Sequence, residues 1–239
     1  MIRAVVIPVW VALVTVISAL AAIAVSFLRR GGDFSHVVGR CWAKSVLFAT
    51  GVKVTVQGLH HIIPGDTYVY MANHQSMYDI LALLGYLPVQ FRWLAKKELF
   101  QIPLFGHSMA RVGYISIDRS NRRSAHKSLL EAAQKIAGGV SVVIFPEGSR
   151  SIDGQIKPFR GGGFHLAIRS GRPIVPVAIC GTHEVMPKGS RRVKPGRVSV
   201  SVNPPVATAS YDNKTKRVLM ELVRSIMEQD FERLRRAQA

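Results

Sequence analysis

Acidic residues are scarce: the 239-residue chain carries 14 Asp and Glu against 32 Lys and Arg, a formal charge of +18. That imbalance calls for an anionic partner, whether phospholipid headgroups, a phosphorylated substrate or nucleic acid. Cysteine is scarcer still. Cys41 and Cys180 lie far apart without metal-ligand spacing, which excludes a disulfide framework, indicates no zinc site and fits a reducing, cytosolic setting. Aromatic residues make up 8% of the chain and are sparse among the basic runs. With no stacking platform and no recognition signature beside the charge, nucleic acid is not expected as the partner. The chain also lacks an internal repeat or low-complexity tract, and its length suits one domain with a sizeable core plus an appendage.

The longest absence is of charge itself. No charged side chain occurs from Ala4 through Leu28; as a helix this run reaches about 37 Å, against a hydrocarbon core of about 30 Å. It reads as a retained membrane segment, since a secretory signal has a shorter apolar region and a small-residue cleavage site, whereas this run ends in Phe27-Leu28-Arg29-Arg30. Arg29, Arg30, Arg40 and Lys44 outweigh Arg3 on the other side, which places the bulk of the protein on the cytoplasmic face. After Gly31-Gly32, Asp33 or Ser35 can cap a second helix whose Val37, Val38, Cys41, Trp42, Ser45, Val46 and Ala49 share one face. An apolar stripe edged by Arg40 and Lys44 suits a helix in the lipid interface, and equally a helix packed on a soluble domain. Residues 1–50 are thus expected to be a two-helix anchor and residues 51–239 the folded domain.

From Gly51 the pattern is one of strands: Val52 to Gln57, Thr67 to Ala72, Phe91 to Ala95, Gly113 to Ile117, Val140 to Phe145, Ile174 to Cys180 and Arg197 to Val202. Helical periodicity between them, at Ile80 to Leu87, Arg122 to Ala137 and Gly162 to Arg169, implies an α/β sheet with functional loops at strand ends. A last helix, Lys214 to about Arg235, keeps Val218, Leu219, Leu222, Val223, Ile226 and Met227 on one side.

The chemistry gathers in four stretches. Asn73-His74-Gln75-Ser76-Met77-Tyr78-Asp79 reads as a strand-to-helix turn. A carboxylate on the Nδ1 proton of a histidine fixes the tautomer and leaves Nε2 as a general base. If His74 sits in the turn and the helix begins near Ser76, Asp79 can point back at it. The same residues also match a capping box, Ser76-x-x-Asp79, whose carboxylate serves only backbone donors. Gly113 to Arg119 is a strand ending in Asp118-Arg119, where Arg119 can fork onto a phosphate or simply pair at the surface. Phe145-Pro146-Glu147-Gly148-Ser149-Arg150-Ser151 follows the most apolar strand, with Gly148 allowing close backbone approach and Arg150 attracting anions. Lys157 and Arg160 add two cations before a triple glycine. Ile174 to Ile179 is apolar throughout and interrupted by Pro176, the mark of an edge or bulged strand, able to line an acyl groove or to pack in the core. A basic run from Lys188 to Arg197 fits lipid headgroups or a solvated face. Gly106-His107-Ser108-Met109-Ala110 imitates the nucleophile elbow of a serine hydrolase, but Pro103 interrupts the strand it needs and Ala110 replaces its last glycine.

Taken together and in this order, the four stretches resemble the sequence blocks of the 1-acylglycerol-3-phosphate acyltransferases, the PlsC-type lysophosphatidate acyltransferase family. The first block is matched at Asn73, His74 and Asp79. The second is matched by Gly113 to Arg119 with the lead-in Lys96-Lys97-Glu98-Leu99-Phe100, the third by Phe145 to Ser151 with Ser149 where threonine is often found, and the fourth by Ile174 to Ile179. The resemblance covers about Gly51 to Val202. It implies a mixed-sheet α/β glycerolipid acyltransferase domain behind a two-helix membrane anchor. It also implies that His74, oriented by Asp79, deprotonates the sn-2 hydroxyl of lysophosphatidate, which attacks an acyl-CoA or acyl carrier protein thioester without an acyl-enzyme. By the same resemblance Lys97, Arg119 and Arg150 hold the phosphate, with Lys96 as an alternative to Lys97, while Glu147 and Gly148 shape the acceptor site. No cofactor or metal is implied.

Overall fold

The computed structural model describes residues 2–28, 32–118, 122–190 and 192–238. Two helices, α1 (Ile2–Leu28) and α2 (Asp33–Ala49), precede β1 (Val52–Gln57), β2 (Val69–Ala72) and α3 (Tyr78–Tyr86). Then come β3 (Arg92–Lys96), α4 (Phe105–Val112), β4 (Ile115–Ile117), α5 (Arg122–Ala137) and β5 (Val142–Ile144). The chain closes with α6 (Gly161–Ser170), β6 (Ile174–Cys180), the single turn α7 (Thr182–Val185), β7 (Gly196–Val202) and α8 (Lys216–Gln238). The strands form one seven-stranded sheet in the order β1-β7-β6-β2-β5-β3-β4. All neighbours are parallel except β6 and β7, so the sheet is mixed, as expected.

Side chains alternate across a strand, and the sheet uses that alternation to separate two apolar layers. Tyr68, Tyr70 and Ala72 of the β2 segment face α2 and α3, together with Val175, Val177 and Ile179 of β6. Val69 and Met71 face the other way, onto α5, α6 and α8. With helices on both faces, β2, β5 and β6 are buried at every position, which explains why they read as continuous apolar runs.

Three expectations are corrected. Pro176 does not mark an edge: β6 lies in the interior of the sheet, between β7 and β2. Its carbonyl accepts Asn203 N–H at 2.9 Å on the β7 side, just past the paired run Val177–Cys180, so the missing proline donor falls where the antiparallel ladder has ended. Neither Asp33 nor Ser35 caps α2 through its side chain; Ser35 Oγ donates to Ala22 O of α1 at 2.9 Å, and Asp33 pairs with Arg92 at 2.6 Å. The α2 face is also rotated from the expected stripe. His36, Ala43, Val46 and Leu47 are buried, whereas Phe34, Val37 and Phe48 are exposed, and Arg40 turns inward to donate to the carbonyls of Leu87 and Val89 beyond α3.

Helix α1 contains a 23-residue apolar span, Val6–Leu28, within which an 18-residue window has a mean hydropathy of 2.6 and is 11% buried. It is long and apolar enough to cross a membrane. A core helix of that composition would be mostly covered; here Trp10, Leu13, Ile17 and Leu20 are exposed, while the opposite side packs on α2 through Trp42 Nε1 donating to Thr15 Oγ1 at 2.9 Å.

Candidate active site

The strands β6, β2, β5 and β3 are adjacent and parallel, so their carboxyl ends emerge along one edge of the sheet, the usual place for a site in an α/β fold. From those ends come Thr182, His74, Glu147 and Lys96 in turn. Four stretches far apart in the chain therefore meet because of strand order.

The turn between β2 and α3 is held from both sides. Asn73, fully buried, exchanges two hydrogen bonds with Ile179 of β6: its Nδ2 donates to the carbonyl at 2.8 Å and its Oδ1 accepts the N–H at 2.7 Å. An amide side chain thus extends the β2–β6 ladder past the end of the backbone pairing. His74 N–H donates to Glu147 Oε1 at 2.8 Å, and His74 O accepts Ser151 N–H at 2.8 Å. The imidazole stacks on Phe145, centroids 3.9 Å apart and planes 11° from parallel, and Phe145 in turn stacks on Trp93.

His74 Nδ1 lies 2.8 Å from Asp79 Oδ2. The same oxygen accepts the N–H groups of Gln75 at 2.7 Å and Ser76 at 2.8 Å, and Oδ1 accepts the Thr182 hydroxyl. Contacts expected of both readings of this motif meet in one carboxylate, which hydrogen-bonds the histidine and returns the backbone half of a capping box. The other half is absent, because Ser76 Oγ donates to Met186 O at 2.7 Å and accepts the N–H of Tyr78, not of Asp79. Asp79 is fully buried, and four donors are what make a buried carboxylate tolerable. His74 keeps 13% of its side chain exposed, and Nε2 has no hydrogen bond among the described residues.

That exposed edge opens onto a cavity of about 610 Å³, lined by apolar side chains of α1, α2, α3, β3 and α4, among them Val11, Trp42, Leu84, Trp93 and Met109. Lys96 and Gly148 also line it. Its walls are not β6: Ile174 to Ile179 are core, with no exposed surface at Ile174, Val175, Val177 or Ile179. The two N-terminal helices instead supply one wall of the groove, a role that periodicity along each helix does not reveal.

The cations are distributed unevenly. Lys97 Nζ pairs with Asp118 Oδ2 at 3.0 Å and Lys96 Nζ with Glu98 Oε1 at 2.9 Å; of the two, Lys96 lines the cavity. Arg150 is half-buried and makes no ion pair among the described residues. Arg119 lies outside the described residues. Arg160, left out of the expected site, has its side chain against Gly148, where a Cβ would come within 2.9 Å of Arg160 Cδ and Nε; with φ at 73°, Gly148 is a position only glycine fills without strain. Ser108 is inside α4, 8% exposed, and donates to Phe105 O at 2.7 Å, so it does not sit on a nucleophile elbow. Glu147, 2% exposed, takes Lys157 N–H on Oε2 at 3.2 Å. Burial pushes its carboxyl up to about 7, against the pull of the His74 and Lys157 backbone donors.

The Acyltransferase family model matches residues 53–180. The chain is 34% identical over 210 residues to 1-acyl-sn-glycerol-3-phosphate acyltransferase alpha of Bos taurus, spanning 87% of this chain and 73% of that one. It is 35% identical over 188 residues to 1-acyl-sn-glycerol-3-phosphate acyltransferase BAT2, chloroplastic, of Brassica napus, covering 78% of this chain and about half, 54%, of that longer relative. Among solved structures, that of the 1-acyl-sn-glycerophosphate (LPA) acyltransferase PlsC from Thermotoga maritima superposes with a TM-score of 0.83 at 26% identity, over 98% of this chain and 97% of that one. A family model spanning more than half of the residues, a bovine relative matched over nearly three quarters of its length and a shared fold lead to one conclusion: the chain belongs to the Acyltransferase family.

Proposed function

We propose that the protein transfers a fatty acyl group from a thioester of coenzyme A or acyl carrier protein to the sn-2 hydroxyl of 1-acyl-glycerol-3-phosphate, giving phosphatidate. The observation that carries this reading is the His74–Asp79 pair, 2.8 Å apart, on an apolar cavity walled in part by the long apolar helix α1. With Nδ1–H donated to Asp79, Nε2 accepts the hydroxyl proton as the oxygen attacks the thioester carbonyl; the tetrahedral adduct collapses, the thiolate leaves, and the proton returns to it from the imidazolium. Arg150, Arg119 and Lys97 bind the acceptor phosphate, with Lys96, which lines the cavity, as the alternative to Lys97, and Glu147 and Gly148 shape the acceptor site. The acyl chain occupies the cavity, whose volume falls in the usual range for small-ligand sites, about 300–1,000 Å³.

Residues 1–50 serve as the membrane anchor and residues 51–239 as the acyltransferase domain, on the cytoplasmic face. Helix α2 joins the two, since Ala43, Val46 and Leu47 contribute to the core beneath the sheet. Support for membrane association comes from the exposed, uncharged length of α1 and from the relatives' lipid substrate. The test is a matrix of acyl-CoA and acyl carrier protein donors against lysophosphatidate and other lysolipid acceptors on purified membranes. Phosphatidate formation from lysophosphatidate, lost in His74→Ala, is the expected result; preference for an acceptor without a phosphate monoester overturns the substrate assignment.

A further inference from the structure

The two oxygens of Asp79 are served by different parts of the chain. Oδ2 takes His74 Nδ1 and the N–H groups of Gln75 and Ser76, all local. The donor to Oδ1 comes from Thr182, 103 positions later and fully buried. The threonine hydroxyl has one proton. Gln75 Oε1 is 3.4 Å from it, so the closer carboxylate receives the bond. Thr182 is put there by Gly181, whose φ of 94° turns the chain out of β6, and where a Cβ would lie 2.2 Å from Arg197 O of β7. The end of β6 therefore clamps the catalytic turn twice, through Ile179 on Asn73 and through Thr182 on Asp79.

We infer that Thr182 is a positioning residue for the His74–Asp79 pair, holding the carboxylate so that Oδ2 stays aimed at Nδ1. The inference rests on the acyl-transfer reading for its kinetic consequence, though not for its geometric one. Rotation about the last torsion of an aspartate is soft and roughly two-fold; with donors on one oxygen alone, the carboxylate tilts or exchanges oxygens. A donor on the second oxygen removes that freedom and satisfies an atom that would otherwise be buried unpaired.

The test uses the full chain in detergent micelles with Thr182→Val, which replaces the hydroxyl by a methyl of the same shape, and Thr182→Ser, which keeps it. With an acyl-CoA and 1-oleoyl lysophosphatidate, Thr182→Val is expected to lower kcat by about 10- to 100-fold, the scale of a displaced catalytic group, with KM unchanged, and Thr182→Ser to restore most of the rate. In an Asp79→Asn background Thr182→Val should add no further loss, because its effect passes through Asp79. A second readout needs no substrate: the Nδ1 proton resonance of His74 should move in Thr182→Val and return in Thr182→Ser. An unchanged rate, equal losses in Val and Ser, or the same fractional loss with and without the Asp79 carboxylate overturns the inference. Absence of acyl transfer by the wild type instead overturns the function proposed above, and the resonance alone then decides: an unmoved proton means that Thr182 does not position the pair.

Discussion

Glu147 Oε1 accepts the backbone N–H of His74 at 2.8 Å, so the carboxylate in the third block holds the main chain of the histidine in the first. Its carboxyl is pushed by burial to about 7, above the ordinary 4.5. A carboxyl raised in the folded state contributes stability that is present below the ordinary value and lost as the pH rises through about 7. Thermal unfolding of the wild type should thus lose a contribution between pH 5 and pH 8 that Glu147→Gln does not lose. The glutamine has one carbonyl for two N–H groups, and the unpaired one costs about 1–3 kcal/mol. Parallel stability curves for the two proteins across this range would refute the assignment.

His74→Ala should fold and lose about 10²- to 10⁴-fold in acyl transfer, the usual contribution of a positioned general base. Asp79→Glu separates burial from capping. A solvent-exposed capping box would welcome glutamate, but Asp79 is sealed among four donors. The extra methylene should cost about 1–3 kcal/mol by overpacking and about 100-fold in rate through a displacement near 1 Å. Calorimetry and turnover on the same preparation check both.

The neighbouring lysines make opposite forecasts. Both are ion-paired, Lys96 with Glu98 at 2.9 Å and Lys97 with Asp118 at 3.0 Å, but Lys96 lines the cavity and Lys97 does not, so Lys96→Ala should raise KM for lysophosphatidate more than Lys97→Ala. Arg150→Lys keeps the charge and loses the planar fork, and its activity should fall most at limiting acceptor. Steady-state kinetics over acceptor concentration distinguish the variants.

Gly39 of α2 borders the cavity, and a Cβ there would meet Leu84 and Tyr114 at an ordinary 3.7 Å. Gly39→Leu should therefore be accommodated with its side chain in the cavity, shifting preference toward shorter acyl donors. Competition between donors of different chain length measures this directly, and an unchanged profile would place the acyl chain elsewhere.

High salt should leave the full chain on membranes, because the proposed anchor, Val6–Leu28, is uncharged and apolar, while exposed electrostatics is screened within about 8 Å at physiological salt. A chain beginning at Gly51 should fare worse than a simple loss of anchoring implies. It removes α2, which covers α3 and supplies Ala43, Val46 and Leu47 to the core, so aggregation is expected and sedimentation reports it.

Much of this is legible in the sequence. All seven strands lie where the apolar runs put them, since a strand buried on both faces leaves an unmistakable run of β-branched residues, as in Val142–Ile144 and Ile174–Cys180. The uncharged run of α1 was equally plain, and the His74–Asp79 pair followed from a local turn whose geometry a five-residue spacing permits. Other features depended on strand order. Thr182 carries no signal of its own, being one threonine after one glycine; it reaches Asp79 only because β6 lies beside β2. Lys96 and Lys97 are indistinguishable in sequence, and the alternation of a strand end decides which one faces the cavity. Short α4 has too few turns for a periodicity to emerge, and α2 was read with its buried face rotated because Arg40 finds carbonyl partners at the end of α3. Local pattern determined the elements and the His74–Asp79 pair; contacts between residues far apart in the chain, set by the order of strands in the sheet, decided which side chains surround that pair and what cavity it faces.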